Sequence, residues 1–570
     1  MRWLLYSLIF LMAAAPAQAE PPGQRFVSIV FHDIDDDAAV LETDSVTTRT
    51  LVQFFEWLKG NGWTAVSLDD LRAAARGARP LPNKAILITF DDAYRSLYTR
   101  VFPLIQAYRY PVVSAVVGSW MEDRPDGTVL YGDKTVPRTN FISWAEAREM
   151  QASGLVEFAS HSYDLHRSIQ ANPQGNMQPA IATWRFDPAT GTYEDDARYR
   201  ARIRADLTHA RAMMAAKLGH PPRTIVWPYG RYTGPALDVA KQLGFSFAVT
   251  LKPEPAYTAD LFAIHRYDAT QNPSLGDIVR NLRFEPERPT TERFACLTLD
   301  ALAAAGSGPP QDEALGRIID GLRALGANNV IIDANAALPT PDAPLGAVYF
   351  PTRLRPLQID LLGRATWQIR TRGGANVFLR LPLDAAIAGV GEANVPDLFA
   401  DMARYVRADG ITLDLQPPTA PTAIVANQPG DIRARRFALN PLALDGRTRL
   451  GLTAYRAAAA IDPRLRLMLA MRRPDGPPDW ADLGLLPPSE DPAQIAALAG
   501  QLRAEGWLRP DVASRVAFSL PSDPERRVEA LRLAQRLGAS AFALCPQPPS
   551  LPPPSALSAA FSSATYPYKP

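Results

Sequence analysis

Cysteine is nearly absent from this chain: only Cys296 and Cys545 occur in 570 residues. Two cysteines cannot build a disulfide framework, so the fold must rest on buried apolar cores. An excess of charge of one sign is also missing. The formal net charge is +1, which excludes a global electrostatic attraction to nucleic acid or to an acidic partner. Beyond the N-terminus no apolar run is long enough to span a bilayer. No cysteine lies near the N-terminus, so anchoring through a lipidated cysteine is excluded as well.

What is present begins with a targeting segment. Arg2 supplies a positive start, Trp3 to Ala15 is a short apolar run, and Ala17-Gln18-Ala19 precedes Glu20 as a small-x-small cleavage site. This pattern predicts a signal peptide over residues 1–19, in preference to an uncleaved anchor, and an exported mature protein. The remaining chain is too long for one core. Its 47% hydrophobic and 21% charged residues are globular in balance, and its 53 prolines point to many loops and turns.

Residues 20–283 read as an α/β unit. Apolar runs at Phe26–Phe31, Ala65–Leu68, Ala85–Phe90, Val112–Val117, Val156–Ala159, Thr224–Trp227 and Phe245–Leu251 predict strands. Helical spacing recurs between them, as in Leu51–Leu58, Ala201–Leu218 and Pro235–Leu243. Strands alternating with helices predict parallel strands covered by helices, here a deformed (β/α) barrel. Residues 284–293 are charged, proline-containing and aperiodic, and read as a linker. Residues 294–570 carry eight further strand candidates: Ala295–Leu299, Asn329–Ile332, Asn376–Leu381, Gly410–Leu413, Leu465–Ala470, Asp482–Leu485, Val516–Leu520 and Ala541–Leu544. Eight strand–helix repeats predict a second, (β/α)8-like barrel. Cys296 and Cys545 would then lie on neighbouring strands. A bridge is within reach, but thiols on adjacent strands often stay reduced for geometric reasons, and a reduced pair is the expectation.

The chemistry-bearing residues of the first unit share a position. His32, Asp91-Asp92, His161 and Pro228-Tyr229 each follow a predicted strand, so in a parallel barrel all would meet on one rim. His161 and His166 are five positions apart. On a helix that places them about 140° apart, whereas a loop can turn both imidazoles inward. With Asp92 they make a His-His-Asp set that can hold a divalent cation and leave coordination positions open. Asp91 is left beside it as a base. Taken singly, each motif has a plainer reading: surface histidines, an acidic helix start, a capping histidine at His32, a structural turn at Trp227-Pro228-Tyr229-Gly230.

Thr89-Phe90-Asp91-Asp92, His161-Ser162-Tyr163-Asp164-Leu165-His166 and Trp227-Pro228-Tyr229-Gly230, in this order, resemble the polysaccharide deacetylase superfamily, carbohydrate esterase family 4 with its NodB-homology domain. Within it the chain is most similar to the exported poly-β-1,6-N-acetyl-D-glucosamine N-deacetylases of biofilm systems, the PgaB group. In most of the superfamily a histidine motif comes late. Here Val30-Phe31-His32-Asp33 comes first, the circular permutation of that group. The resemblance implies Asp91 as general base, His32 as general acid, Tyr229 in an oxyanion hole, and Asp92, His161 and His166 as ligands of Zn²⁺, Co²⁺, Ni²⁺ or Fe²⁺. It implies an N-acetylglucosamine polymer as substrate and an outer-membrane export porin as partner. His265 is read as structural, since His32 already fills the acid's role. Other readings kept open are a peptidoglycan or chitin deacetylase, a glycosidase, and a non-catalytic polysaccharide-binding export factor.

Two departures stand out. The superfamily places an arginine two residues before the Pro-Tyr pair to orient the base; Val226 stands there, and Arg223 is displaced. The related C-terminal domains resemble glycoside hydrolases with a run of aspartates after the fourth strand. Here only Asp414 remains acidic, followed by Leu415 and Gln416. Asp300 and Asp333 are the candidates for a second carboxyl group, and the expectation is a barrel that binds polymer without cleaving it.

Overall fold

A computed structural model describes residues 23–562 apart from 37–43, 123–126, 133, 284–290, 341, 416–428, 472–476, 479, 490, 509–513, 522 and 546–554. The expected leader over residues 1–19, and Gln416, lie outside the described residues. Among those residues no helix is long and apolar enough to cross a membrane.

The N-terminal unit is built on β1 (Arg25–Phe31), β2 (Ala85–Phe90), β3 (Val112–Val116), a separate hairpin of β4 (Thr128–Tyr131) and β5 (Lys134–Pro137), then β6 (Val156–Ser160), β7 (Thr224–Val226) and β8 (Phe247–Val249). The main sheet runs β8-β7-β6-β3-β2-β1, with these neighbours parallel. It is an open, incomplete barrel, extended past β1 by the antiparallel Ala256–Tyr257, with the short strand Tyr267–Asp268 pairing parallel to β1. Every residue of β2 is buried, as expected of a parallel strand covered on both faces. Helix α1 (Thr48–Gly60) turns Leu51, Phe54, Phe55 and Leu58 into the core.

One predicted strand is corrected. Over Ala65–Leu68 the strand stops at Ala65, and α2 (Leu68–Ala75) begins instead. Ser67 and Asp70 form a capping box, each side chain bonding the other's backbone N–H, which fixes a helix start where hydropathy suggested a strand.

The C-terminal unit is a closed parallel barrel of eight strands: β9 (Glu292–Leu297), β10 (Asn329–Asp333), β11 (Asn376–Arg380), β12 (Gly410–Asp414), β13 (Arg466–Ala470), β14 (Leu483–Leu485), β15 (Val516–Ser519) and β16 (Ala541–Leu544). Phe294, Ile331, Phe378 and Met468 help fill its interior, and Gly410 leaves room for the Phe378 ring. β9 ends earlier than predicted, so Asp300 opens a short helix rather than ending a strand. The expected reduced thiols are also corrected: Cys296 and Cys545 form a disulfide with Cα atoms 5.1 Å apart. The parallel register pairs Ala295 with Leu544, and the next residue on each chain is the cysteine.

The two units share an apolar cluster in which Trp184, Trp227 and Tyr232 join Phe399 and Tyr455. Arg404 of α3 (Val395–Tyr405) donates to both carboxylate oxygens of Asp196 at 2.8 and 3.0 Å. Gln174 Nε2 donates to the Asp360 carbonyl at 2.6 Å.

Candidate metal-dependent hydrolase site

All six residues singled out from the sequence lie at carboxyl ends of the parallel strands: His32 after β1, Asp91 and Asp92 after β2, His161 and His166 after β6, and Tyr229 after β7. The turns that carry them are unusual. Asp92, Ala93, Ser162 and Tyr229 are non-glycine residues at φ values of 69°, 55°, 70° and 57°. Such left-handed backbone is strained and gathers where a site over-determines it.

Asp92, His161 and His166 each offer a ligand atom within 4.8 Å of the others. Asp92 Oδ1 lies 3.6 Å from His161 Nε2 and 3.5 Å from His166 Nε2. Oδ1 is buried and has no hydrogen-bond partner. His161 Nδ1 donates to the Val226 carbonyl at 2.7 Å. Since a carbonyl only accepts, the proton sits on Nδ1 and the Nε2 lone pair faces the cluster. Burial pushes both His161 and His166 down to about 4, so both are neutral at ordinary pH. An orphaned carboxylate oxygen facing two neutral imidazoles fits a divalent cation.

The loop between the two histidines is pinned from helix Asp196–Leu218. The Asp206 carboxylate accepts the N–H groups of Tyr163 at 2.9 Å and Asp164 at 2.8 Å. Ser162 Oγ accepts the Leu165 N–H at 3.1 Å. This turn, rather than a helix, is what lets two histidines five apart converge.

Asp91 is 2% exposed and held by a residue absent from the sequence-based site. Arg266 is fully buried and donates Nη1 to Asp91 Oδ1 and Nη2 to Oδ2, both at 2.8 Å. Its Nη1 also reaches Thr89 Oγ1 at 2.7 Å, and its Nε reaches the Thr250 carbonyl at 3.1 Å. Burial works to raise the Asp91 pKa, but the charge and hydrogen bonds of Arg266 outweigh it and hold the carboxyl well below its ordinary range. Arg223 is elsewhere, bonding Glu157 and Asp69. The missing arginine before Pro228 is thus replaced from another segment.

A second residue was missed beside it. Asp268 Oδ1 lies 3.7 Å from His32 Nδ1, and neither buried atom has a hydrogen-bond partner. Burial disfavours the charged imidazole, yet Asp92, Asp268, Asp91 and Asp44 together raise the His32 pKa above its ordinary value. Burial pushes Asp268 up to about 6. His265, just before Arg266, stays out of the cluster: its Nδ1 is 3.6 Å from Glu254, and burial lowers it to about 4. Along Ile264-His265-Arg266-Tyr267-Asp268, alternation puts Arg266 and Asp268 on one face and His265 on the other.

Tyr229 stands at the rim, 39% exposed, with its ring 4.4 Å from that of His166. In the barrel, Asp333 is bound by Arg380 through two hydrogen bonds, at 2.5 and 2.9 Å. Asp300 accepts from the Ala337 N–H at 2.8 Å and the Tyr349 hydroxyl at 3.0 Å. Asp414 lies 3.8 Å from Arg447.

Comparison with known proteins agrees with this geometry. Residues 78–248 match the model of the polysaccharide deacetylase family, and residues 308–389 match one described as hypothetical glycosyl hydrolase family 13. The poly-β-1,6-N-acetyl-D-glucosamine N-deacetylase of Escherichia coli K12 is 36% identical over 362 residues, 64% of this chain and 53% of the relative. The chain therefore spans about half the length of that relative. The deacetylase domain of Bordetella bronchiseptica BpsB is 40% identical, covering 44% of this chain and 98% of that one, with a TM-score of 0.40. A de-N-acetylase from Aggregatibacter actinomycetemcomitans is 32% identical, covering 45% and 100%, with a TM-score of 0.42. The chain thus carries a polysaccharide deacetylase domain over residues 78–248.

Proposed function

We propose that this protein is an exported, divalent-metal-dependent N-deacetylase of poly-β-1,6-N-acetyl-D-glucosamine. The observation that carries the chemistry is the convergence of Asp92, His161 and His166 beside the buried pair Asp91–Arg266 and the half-buried pair His32–Asp268. The substrate rests on the E. coli relative, whose name specifies that polymer. Export to the periplasm rests on the leader-like residues 1–19.

A cation held by Asp92, His161 and His166 would polarise the acetyl carbonyl and make a nearby water more acidic. The chain's own groups supply the proton transfers. Asp91 stays ionised under Arg266 and accepts a proton from the attacking water. Arg266 fixes the carboxylate's orientation but weakens it as a base, which is why an acidified water is needed. The Tyr229 N–H, in its left-handed turn, donates toward the developing oxyanion. His32, kept protonated by the surrounding carboxylates, delivers a proton to the departing sugar nitrogen. Amide and water thus give free amine and acetate.

A binding protein without catalysis has no use for an ionised carboxylate buried beside a metal set. In the C-terminal barrel, the engagement of Asp300, Asp333 and Asp414 by neighbouring groups favours polymer binding over cleavage, since glycosidases need two working carboxyl groups. A porin that receives the polymer is the export partner this reading implies.

The substrate is tested by acetate release from β-1,6-linked N-acetylglucosamine oligomers, chitin oligomers and peptidoglycan fragments side by side. Preferential release from the β-1,6-linked oligomer is expected. Preference for either of the others would keep the mechanism and discard the substrate.

A further inference from the structure

The hairpin of β4 and β5 stands apart from the main sheet. Its base is tied down by Arg138, whose Nη1 donates to the Phe141 carbonyl at 3.2 Å and whose Nη2 donates to those of Met121 and Ile142 at 3.2 and 3.0 Å. Alternation along β4 buries Val129, leaves Leu130 52% exposed, and returns Tyr131 to the inner face. There the Tyr131 ring packs on Trp120 at 4.9 Å and Tyr94 at 6.0 Å between centroids. Trp120 in turn meets the His166 ring edge-on at 4.9 Å.

This aromatic wall delivers one polar atom to the site. The Tyr131 hydroxyl donates to Asp92 Oδ2 at 3.3 Å. The two oxygens of Asp92 are thereby distinguished. Oδ2 is engaged by the phenol, whereas Oδ1 faces both imidazoles and is left without a hydrogen bond. A carboxylate without that contact could turn about its Cβ–Cγ bond and present either oxygen, or both, to a cation.

We propose that Tyr131 is a positioning residue for the metal site, holding Asp92 so that Oδ1 alone points between His161 and His166. The proposal rests on the reading of these three residues as metal ligands. Partners of this kind, bonded to a ligand rather than to the ion, typically contribute 10–100-fold to metal affinity. The aromatic packing makes the phenol's placement independent of the ion, so the site is set before a cation arrives.

The test uses the full chain in four forms: wild type, Tyr131→Phe, Leu130→Ala and His161→Ala. Zn²⁺ and Co²⁺ affinities are measured by competition with a chromophoric chelator, alongside thermal unfolding of the metal-free proteins. Tyr131→Phe keeps the ring and its packing, so its metal-free Tm should match wild type while its metal affinity falls about 10-fold or more. Leu130→Ala, on the outer face of the same strand, should bind metal as wild type does. At saturating metal, kcat and KM of Tyr131→Phe should return close to wild type. Unchanged affinity in Tyr131→Phe overturns the proposal. So does an equal loss in Leu130→Ala, which would assign the effect to hairpin stability. A fall in kcat at saturating metal with unchanged affinity would place Tyr131 on the substrate instead. If His161→Ala binds metal as tightly as wild type, the metal-site reading itself fails, separately from the part given to Tyr131.

Discussion

Replacing Arg266 with methionine tests the buried core of the site. Arg266 makes four hydrogen bonds: two to Asp91, one to Thr89 and one to the Thr250 carbonyl. Methionine fills much of the space but leaves the Asp91 carboxylate buried without its hydrogen-bonded counter-charge. Breaking a buried pair from one side costs about 3–5 kcal/mol. For a domain of this size that corresponds to a fall in Tm of roughly 6–20 °C. The pH dependence has a definite sign. In the wild type the Asp91 pKa lies below its unfolded value. The pair's stabilisation is therefore present above the unfolded pKa and lost as pH falls through the folded one. In Arg266→Met burial is opposed only by the weaker pull of His161 and His32, so the folded pKa is expected above the unfolded value and stability is lost as pH increases instead. The Tm gap between wild type and variant should thus be widest at alkaline pH and narrow toward pH 5. Adding Asp91→Asn removes the stranded charge, so the double variant should melt above Arg266→Met. Thermal unfolding of the four forms across pH provides the cycle. A double variant no more stable than Arg266→Met, or a loss below about 1 kcal/mol in the single variant, would refute the reasoning.

Three other outcomes follow from the same structure. Because the Asp268 carboxylate helps raise the His32 pKa, Asp268→Asn should move the alkaline limb of the kcat/KM–pH profile to lower pH; a limb that stays or moves up contradicts the role of His32 as acid. The disulfide closes a span of 249 residues, for which chain entropy allows up to about 5 kcal/mol; Cys296→Ser with Cys545→Ser should lower the Tm of the barrel, and an unchanged Tm would show that the bridge contributes nothing. A side chain at Gly234 would meet the Ala460 carbonyl across the two units; Gly234→Val should destabilise by about 1–3 kcal/mol, seen as a lower Tm, and full tolerance would contradict the tight packing of the units.

Residues differ in how plainly the sequence announced them, and the reason is local. Asp91, Asp92 and His161 follow long apolar strands whose ends can be read directly, so their meeting on one rim was foreseeable. Arg266 directly precedes a two-residue strand, Tyr267–Asp268, and Asp268 ends it. That is too short for periodicity to register, and Asp268 reaches His32 only because this strand pairs with β1. The vacancy at Val226 was visible, but its filling from a distant segment depends on tertiary folding. The start of α2 was hidden because Val66 and Leu68 are apolar and Ser67 decides the issue through a hydrogen bond. Neighbouring barrel strands for Cys296 and Cys545 could be inferred from the repeat order, whereas the 5.1 Å Cα separation depends on a register that hydropathy does not report.

The most direct test of the central claim is acetate release from a β-1,6-linked N-acetylglucosamine oligomer, measured on chelated protein, on protein with divalent metal restored, and on Asp91→Asn with metal. The account predicts release only from metal-restored wild type, with the variant falling by about 100-fold or more. Undiminished release by Asp91→Asn, or release that persists in the chelated protein, would contradict it.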